Sequence, residues 1–393
     1  MPDLMDLALA LPWLAIMLAM PLLLRRRVRL SNVPPIAADD APLVSVIVPA
    51  RNEAPNIGAC VSTLLNSLYP RCEVIVVDDN STDGTGEIIR ILADHSDGRL
   101  ALIEGAPLPD GWLGKSWACW QGAQRARGTL LLFTDADTRH DDMLLGRAVG
   151  AIVRQEVDLV SVLPRQLMLT FWERLVLPHF FATLLARYHD LPGMNRSTRP
   201  HDVVANGQFI LIRRTAYDAI GGHEALRGDV VEDQRLAQRV VAGGGRMFMA
   251  HAHDMMETRM YRSLGGIIEG WSKNVALGSR AAVPGWLRPI MPWPILAVAV
   301  LLWIVPPAIL LVSLFTGHLT GLAGWSLAAT AFSTLMWAYV YPWMGAGALY
   351  ALGYPAGALV MAGILLRSGL RGRRVSWKGR DYVVQDGASQ RSP

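Results

Sequence analysis

The chain is poor in charged residues and in cysteine. Only 18% of its 393 residues are charged, 52% are hydrophobic, and the mean hydropathy is +0.27. This composition excludes an ordinary cytosolic enzyme, which carries more charge at this length. Cys60, Cys72 and Cys119 show neither CxxC nor metal-ligand spacing, which excludes a disulfide scaffold. We expect all three cysteines to be reduced residues of the core.

The excess of positive charge is small and lies beside apolar runs. The formal net charge is +4 and the pI is about 9.1, which could indicate nucleic-acid binding. The arginines cluster, however, in RRRVR after the first apolar run and in RSGLRGRRVSWKGR after the last one. Basic clusters in these places favour anionic lipid as the partner, with no role for nucleic acid.

The amino terminus carries an apolar run of about one bilayer's length, residues 7–24. Four arginines follow this run, whereas a cleaved signal peptide has its basic residues before the apolar core. We therefore predict a transmembrane helix over residues 1–24 and a basic juxtamembrane linker over 25–42. The charge asymmetry places the amino terminus outside and residue 25 onward in the cytoplasm.

A second apolar block covers residues 286–366 and is predicted to form two or three membrane segments. The candidates are residues 294–315, 322–341 and 345–366. Three full crossings would place the basic tail, residues 367–393, outside, against the charge rule. We expect one segment to be re-entrant or interfacial, with the tail cytoplasmic, in a multi-pass protein of the inner cell membrane.

Residues 43–285 alternate between strand and helix patterns, which predicts one cytoplasmic α/β domain of the doubly wound type. Strands that end in polar residues are predicted within VSVIVPARNE and EVIVVDDNSTDGT, and another at LLLF, with helices over residues 56–68 and 83–93. Residues 166–187 are apolar except for a few polar positions. They are predicted to form an amphipathic helix in the membrane interface, and a buried helix of the domain is the alternative.

Asp135 and Asp137 stand one residue apart at the end of the buried strand LLLF. In open α/β sheets the carboxyl ends of strands bind ligands, although aspartates at such ends also cap helices or begin turns. The first strand is followed by PARNE and not by the GxGxxG that wraps a pyrophosphate in dinucleotide folds. We therefore expect Mg²⁺ or Mn²⁺, held by Asp137 with Asp135, to neutralise a diphosphate.

The segment HAHD offers His251, His253 and Asp254 as another possible metal site, since alternate residues of a strand share a face. A hard cation held by carboxylates already meets the need for charge neutralisation. We therefore do not favour a transition-metal site there.

Five motifs occur in the order found in family 2 glycosyltransferases of GT-A fold, and the chain resembles that family over residues 44–249. The motifs are VPARNE, VDDNSTDGT, GKSWACWQGAQRARG, FTDADT and VVEDQRLAQRV. The stretches APLPDGWLGKSWACWQGA, GQFILIRRTAYDAIGGH and MYRSLGGIIEGWSKN look most like the hopene-associated and carotenoid-type membrane glycosyltransferases of bacteria.

The resemblance implies a donor site for a UDP-sugar. It assigns to that site Pro49, Arg51, Glu53 and Asp79 at the uridine, and Lys115 and Asp135 at the diphosphate. Lys115 could instead be a solvated loop lysine. In the resembled family the aspartate of the ED pair is the base of an inverting transfer, which here is Asp233 with Glu232 as its orienter. A first-turn helix-dipole interaction is the competing explanation for this pair.

The resemblance places Gly207 and Gln208 on the acceptor side of the site. Polymerising members of the family carry QxxRW, and this chain has only IIEGW, ending at Trp271. Trp271 could stack on a sugar, seal the pocket or anchor at the interface. Lys273 or Arg262 could neutralise phosphate. The missing Gln and Arg favour transfer of a single sugar over polymer synthesis.

The sequence therefore predicts a membrane-anchored enzyme that moves one sugar from a UDP-sugar to a lipid, a hopanoid or another isoprenoid. A sphingolipid-like, glycerolipid or polyprenyl-phosphate acceptor is the alternative. A catalytically silent membrane scaffold that binds nucleotide is the rival from another class, and the intact set of acidic residues argues against it.

Overall fold

A computed structural model of the chain describes residues 4–25, 28–317, 321–371, 374–377 and 380–383. The main sheet has eight strands in the order β3-β2-β1-β4-β7-β6-β8-β5. The strands are β1 Val44–Ala50, β2 Cys72–Asp78, β3 Leu100–Glu104, β4 Leu130–Phe133, β5 Thr138–His140, β6 Leu159–Gln166, β7 Ile210–Arg213, β8 Met247–Thr258, β9 Arg374–Trp377 and β10 Arg380–Val383.

Helices cover both faces of the sheet and form a separate layer beside it. They are α1 Leu4–Leu9, α2 Leu11–Arg25, α3 Ala54–Leu65, α4 Thr85–Asp94, α5 Gly114–Arg125, α6 Leu144–Arg154, α7 Phe171–Arg187, α8 Leu191–Met194, α9 Arg214–Ala219, α10 Glu232–Ala242, α11 Leu264–Ala281, α12 Trp293–Trp303, α13 Val305–Thr316, α14 Gly321–Trp343 and α15 Tyr354–Arg371.

Alternate residues of β1 enter two different cores. Val46 and Val48 pack in the core that contains α3, α4 and α6, whereas Ile47 packs in the core formed with α5 and α10. Because side chains alternate across a strand, an apolar run buried on both faces requires helices on both sides. The predicted α/β class is confirmed. The sheet is mixed, since β7 runs antiparallel between β4 and β6.

The segment predicted as a juxtamembrane linker is part of the α/β domain from residue 28 onward. Leu30 is fully buried in the first core, and Arg147 Nη1 donates to the carbonyls of Ser31 (2.7 Å) and Val33 (2.8 Å). The backbone N–H of His251 donates to the carbonyl of Val28 at 2.7 Å. These long-range contacts correct the predicted boundary at residue 42. Arg26 and Arg27 lie outside the described residues.

Helix α7 packs inside a third core, which also contains residues of α11, α14 and α15. Its residues 175–180 are buried, and His179 Nε2 lies 3.2 Å from the hydroxyl oxygen of Tyr341. For these residues the structure matches the buried-helix alternative and not the interfacial helix. The strand β6 extends to Gln166, so the helix begins at Phe171, five residues later than the predicted boundary.

Two helical stretches near the carboxyl terminus are long and apolar enough to cross a membrane, Trp293–Thr316 and Ala348–Arg371. They overlap the predicted segments 294–315 and 345–366. The apolar amino-terminal helix Leu11–Leu24 is shorter than a crossing. The predicted tail begins inside α15, which ends at Arg371, and β9 and β10 pair in antiparallel fashion after it. The last ten residues, 384–393, lie outside the described chain.

A buried ion pair ties α7 to the end of β8. Glu173 is fully buried and receives hydrogen bonds from Arg259 Nε (2.9 Å) and Nη2 (3.2 Å). Its carboxylate also accepts from the backbone N–H of Thr170 at 2.5 Å, in a capping box at the first turn of α7. The layer of helices is therefore fixed to the sheet at this point.

Replacing Glu173 by Gln should destabilise the protein, because an amide cannot accept both charged bonds from Arg259. We expect a loss of about 2 kcal/mol in the free energy of unfolding, the order of a charged hydrogen bond. Thermal unfolding of the detergent-solubilised protein measures it. The matched control is Glu87→Gln, whose side chain is 71% exposed. Equal midpoints for the two variants would contradict this role of the ion pair.

Candidate active site

A cavity of about 1500 Å³ lies between the carboxyl ends of β1, β2 and β4 and the helices α7, α11 and α15. Every site residue predicted from the sequence lines it. These residues are Pro49, Arg51, Glu53, Asp79, Lys115, Asp135, Asp137, Gly207, Gln208, Glu232, Asp233 and Trp271. Segments that are far apart in the sequence therefore converge on one space.

The ends of β1 and β2 lie side by side because the two strands are parallel and in register, with Pro49 opposite Val77. The N–H of Asp79 donates to the carbonyl of Ala50 at 2.8 Å, which continues the pairing beyond the strands. Arg51 Nη1 donates to the carbonyl of Asp79 at 2.5 Å and lies 3.9 Å from its carboxylate. Asp79 is thus held in a fixed position, only 2% exposed.

Side chains link the two loops that follow these strands. Asn52 has a φ of +52°, and its Oδ1 accepts from the N–H of Thr82 at 2.8 Å. The N–H of Glu53 donates to Thr85 Oγ1 at 2.8 Å, and Asp83 accepts from the N–H of Ala54 at 3.0 Å. The polar residues of PARNE and DDNSTDGT therefore stabilise the fold, and some of them also line the cavity. They cross-link the loops that carry Arg51 and Asp79.

Lys115 connects two acidic groups from distant segments. Its Nζ lies 2.8 Å from Asp135 Oδ1, at the end of β4, and 3.0 Å from Glu232 Oε1, at the start of α10. Burial lowers the pKa of Lys115, but Asp135, Glu232 and Asp233 outweigh it and raise that pKa well above its usual value. The lysine is therefore charged and is not a solvated loop residue.

Asp137 faces the cavity beside Lys115 and Asp135. Its Oδ1 is buried and has no hydrogen-bond partner within the described parts of the chain. Burial, with the charges of Asp135 and Glu53, raises its pKa to about 7. A carboxylate with an unsatisfied oxygen and acidic neighbours fits a divalent cation. The cation would offset the repulsion between the carboxylates and stabilise Asp137 in its ionised form.

The described residues contain no group of three or more His, Cys, Asp or Glu side chains placed to share a metal ion. The rings of His251 and His253 lie 5.0 Å apart on the cavity wall. Mg²⁺ and similar cations commonly bind one or two carboxylates and complete their coordination with substrate phosphates. The acidic pair suits that mode of binding.

Asp233 is positioned by two backbone donors in the first turn of α10. Its Oδ2 accepts from the N–H of Gly207 (2.9 Å) and its Oδ1 from that of Gln234 (2.7 Å). Burial and the neighbouring Glu232 raise the pKa of Asp233 to about 6. Burial also acts on Glu232, but Lys115 and Lys273 outweigh it and lower the pKa of that residue. In this pair Asp233 is the weaker acid, and Glu232 stays ionised.

A side chain at Gly207 would crowd this arrangement. A Cβ at this position would lie 3.0 Å from Asp233 Oδ2 and 3.0 Å from Lys115 Nζ. Gln208, predicted beside it, is only 4% exposed, and its Oε1 accepts from Gln166 and Asn206 at 3.2 Å each. Gln208 therefore braces the cavity wall, while the backbone of Gly207 orients Asp233.

Several cavity residues were assigned no site role, or only a general one, from the sequence. Phe180 on α7 stacks on Trp271 with the ring centres 4.3 Å apart. Asn274 lies one helical turn after Trp271 on α11, with Lys273 between them. For Lys273 the sequence indicates only a group that could neutralise phosphate. The position of Asn274 beside Trp271 could have been predicted from the sequence, because residues three apart on a helix share a face. The contact of Phe180 with Trp271 could not, because it joins two helices that are distant in the sequence.

Comparison with known proteins agrees with this geometry. Residues 45–221 match the model of glycosyl transferase family 2. The chain is 27% identical over 261 residues to 4,4'-diaponeurosporenoate glycosyltransferase of Staphylococcus aureus (strain USA300), a match that covers 64% of this chain. It spans 65% of that relative, slightly less than two thirds of its length.

The fold is similar to that of the mannosyltransferase PcManGT from Pyrobaculum calidifontis, whose structure was solved in complex with GDP-Man and Mn²⁺. The TM-score is 0.56 at 23% sequence identity, and the superposition covers 93% of this chain and 97% of the other. The sheet order, the strand-end site and the family match lead to one conclusion. The α/β domain has a GT-A fold, and its residues 45–221 match the model of glycosyl transferase family 2.

Proposed function

We propose that this protein transfers one sugar from a nucleotide diphosphate sugar, a UDP-sugar, to the head group of a lipid at a membrane surface. The observation that carries the proposal is the two-sided cavity. One side has the carboxylates and cations of the strand ends, and the other has apolar side chains of the helical layer, including Phe180, Met361 and Leu365. A polar donor and an apolar acceptor can meet between them.

The donor would lie along the strand ends, with its base near Pro49 and Asp79 and its diphosphate near Lys115. Asp79 can accept a hydrogen bond from a base N–H. Asp137, with Asp135, would hold a divalent cation, which supplies charge neutralisation to the departing diphosphate. Lys115 adds a fixed positive charge on the same side, where negative charge develops during transfer.

Asp233 is the proposed base. The acceptor hydroxyl donates its proton to the carboxylate of Asp233 while its oxygen forms a bond to the anomeric carbon of the sugar. The bond from that carbon to the diphosphate breaks, and the electron pair leaves with the phosphate oxygen. A single displacement of this kind inverts the anomeric centre. Two backbone N–H groups, from Gly207 and Gln234, hold the carboxylate so that proton transfer needs no reorientation.

The acceptor is proposed to be a hopanoid or another isoprenoid lipid. The relative from S. aureus is named for a carotenoid-type substrate, which supports an extended apolar acceptor. Large apolar side chains are also exposed on the helices outside the α/β domain, which suits contact with lipid. Examples are Leu18, Leu22, Leu301, Leu314, Phe315 and Leu359. We propose that these helices anchor the protein in the inner membrane with the α/β domain in the cytoplasm.

Removing the carboxylate of Asp137 should weaken metal binding. We expect Asp137→Asn to reduce the affinity for Mn²⁺, measured calorimetrically with UDP present, by at least about tenfold, the effect typical of altered metal-site groups. Asp97→Asn is the matched control, because Asp97 is exposed and lies outside the cavity. Unchanged Mn²⁺ affinity in Asp137→Asn would refute the metal role.

The pH dependence of turnover should report Asp233. A base must be deprotonated, so at saturating donor and cation we expect kcat to fall as the pH drops through about 6. Glu232→Gln removes the negative neighbour that raises the pKa of Asp233, so the acidic limb should move to lower pH. A limb that stays in place in this variant would exclude Asp233 as its origin.

Substitution of Asp233 itself separates donor binding from chemistry. Asp233→Asn should keep nucleotide-sugar affinity and lose transfer by about 10²- to 10⁴-fold, the range of general-base catalysis. Donor affinity is measured by calorimetry and transfer by release of the nucleoside diphosphate with lipid extract as acceptor. Normal turnover in this variant would require another base.

The function as a whole is tested by mass spectrometry of lipid extracts from cells with and without the protein. We expect a lipid that carries one additional sugar and is absent from the deletion strain. The carrier distinguishes a hopanoid from a sphingolipid-like, glycerolipid or polyprenyl-phosphate acceptor. Loss of a polymer would instead indicate a synthase, and an unchanged lipid profile would favour the silent scaffold.

A further inference from the structure

The wall of the cavity opposite the strand ends carries two polar atoms without partners. Trp271 Nε1, a donor, and Asn274 Oδ1, an acceptor, are both buried, and neither has a hydrogen-bond partner among the residues that the structure describes. Both residues line the cavity. Buried polar groups are nearly always hydrogen-bonded, so two unsatisfied atoms on one wall indicate a missing ligand.

The packing of Trp271 determines what this residue offers to a ligand. One face of its indole is covered by Phe180, with the rings stacked at 4.3 Å and 11°, and Phe181 approaches at 5.9 Å and 75°. A face covered by Phe180 is closed to a sugar ring. The group that remains for hydrogen bonding is the indole N–H, which can only donate.

Asn274 presents the complementary group from the same face of α11. Residues three apart on a helix are neighbours on its surface. The helix approaches the proposed base at its next turn, where a Cβ on Gly278 would lie 3.9 Å from the side-chain oxygen of Gln234. Asn274 precedes Gly278 by about 6 Å along the helix axis. Trp271 and Asn274 thus lie one to two helical turns from the contact between α11 and α10, on the wall of the cavity that Asp233 also lines.

We propose that Trp271 and Asn274 bind a second hydroxyl of the acceptor head group, next to the hydroxyl that receives the sugar. This inference rests on the proposed function and specifies its substrate class as a lipid with at least two neighbouring hydroxyls. A hydroxyl accepts from Trp271 Nε1 and donates to Asn274 Oδ1, so one group satisfies both atoms. The attacking hydroxyl cannot do this, because it must donate its proton to Asp233.

A carboxylate at this position fits less well. It can accept from Trp271, but it has no proton to donate and would bring its negative charge against the oxygen of Asn274. A lipid with one hydroxyl would leave both atoms unsatisfied once its proton is directed to Asp233. An unmade hydrogen bond of a buried group costs more than an ordinary bond contributes, so the wall selects for the second hydroxyl.

The test uses three acceptor probes of equal chain length in detergent micelles. They are an alkylglycerol ether with two free hydroxyls, the corresponding fatty alcohol and the corresponding fatty acid. For the full-length protein we expect a KM for the alkylglycerol about 3- to 10-fold lower than for the alcohol, the effect of one to two neutral hydrogen bonds. The fatty acid should be the poorest acceptor.

Two variants test whether Trp271 and Asn274 cause the preference for the alkylglycerol. Trp271→Phe keeps the aromatic stack and removes the N–H, and Asn274→Leu keeps the approximate size and removes the amide. Each should raise the KM for the alkylglycerol towards that for the alcohol, while the affinity for the nucleotide sugar stays at the wild-type value. Trp286→Phe is the matched control, since Trp286 is 78% exposed.

Three results would overturn the inference: a preference for the fatty acid, a diol preference that both variants retain, or failure of the wild type to use any probe. Glycosylation of a total lipid extract separates this failure from that of the proposed function. If the extract is glycosylated and the probe results are negative, only the second-hydroxyl site is wrong. If the extract is not glycosylated either, the proposed function itself fails.

Discussion

The ammonium group of Lys115 is the contact on which the site depends. It lies within 3.0 Å of carboxylates from the end of β4 and the start of α10, two segments about 100 residues apart. Without this cation, the acidic groups around it would face one another in a partly buried space, where like charges are costly. The lysine allows the side of the cavity that is the proposed donor site and the side that carries the proposed base to form together.

Its charge also divides the carboxylates by chemistry. Glu232 lies against the lysine and is kept ionised, whereas Asp137 and Asp233 receive less compensation and have raised pKa values. An acid that is reluctant to ionise suits two roles, that of a metal ligand and that of a base near neutral pH. The environment distinguishes these carboxylates, since Glu232 and Asp233 are adjacent in the chain and their pKa values shift in opposite directions.

The strand and helix patterns predicted much of the domain. The helix expected over residues 56–68 is Ala54–Leu65, and the one expected over 83–93 is Thr85–Asp94. The first helix begins two residues earlier than predicted, with Pro55 in its first turn. The second begins two residues later, because Asp83 lies before the helix and its side chain accepts hydrogen bonds from the N–H and the hydroxyl of Thr85. The buried segment that contains Leu30 was not predicted, since a short turn with a single bridge to His251 has no periodicity to detect.

Local patterns in the sequence specified the α/β class, the strands β1, β2 and β4, and the identity of the acidic residues that follow them. These properties are local, because hydrophobic period and turn chemistry are set by residues a few positions apart. Tertiary structure alone decided that Phe180 covers Trp271, that Gly207 orients Asp233, and that residues near Leu30 join the core. Each of these depends on atoms that folding brings together from distant segments, and no local pattern specifies such approaches.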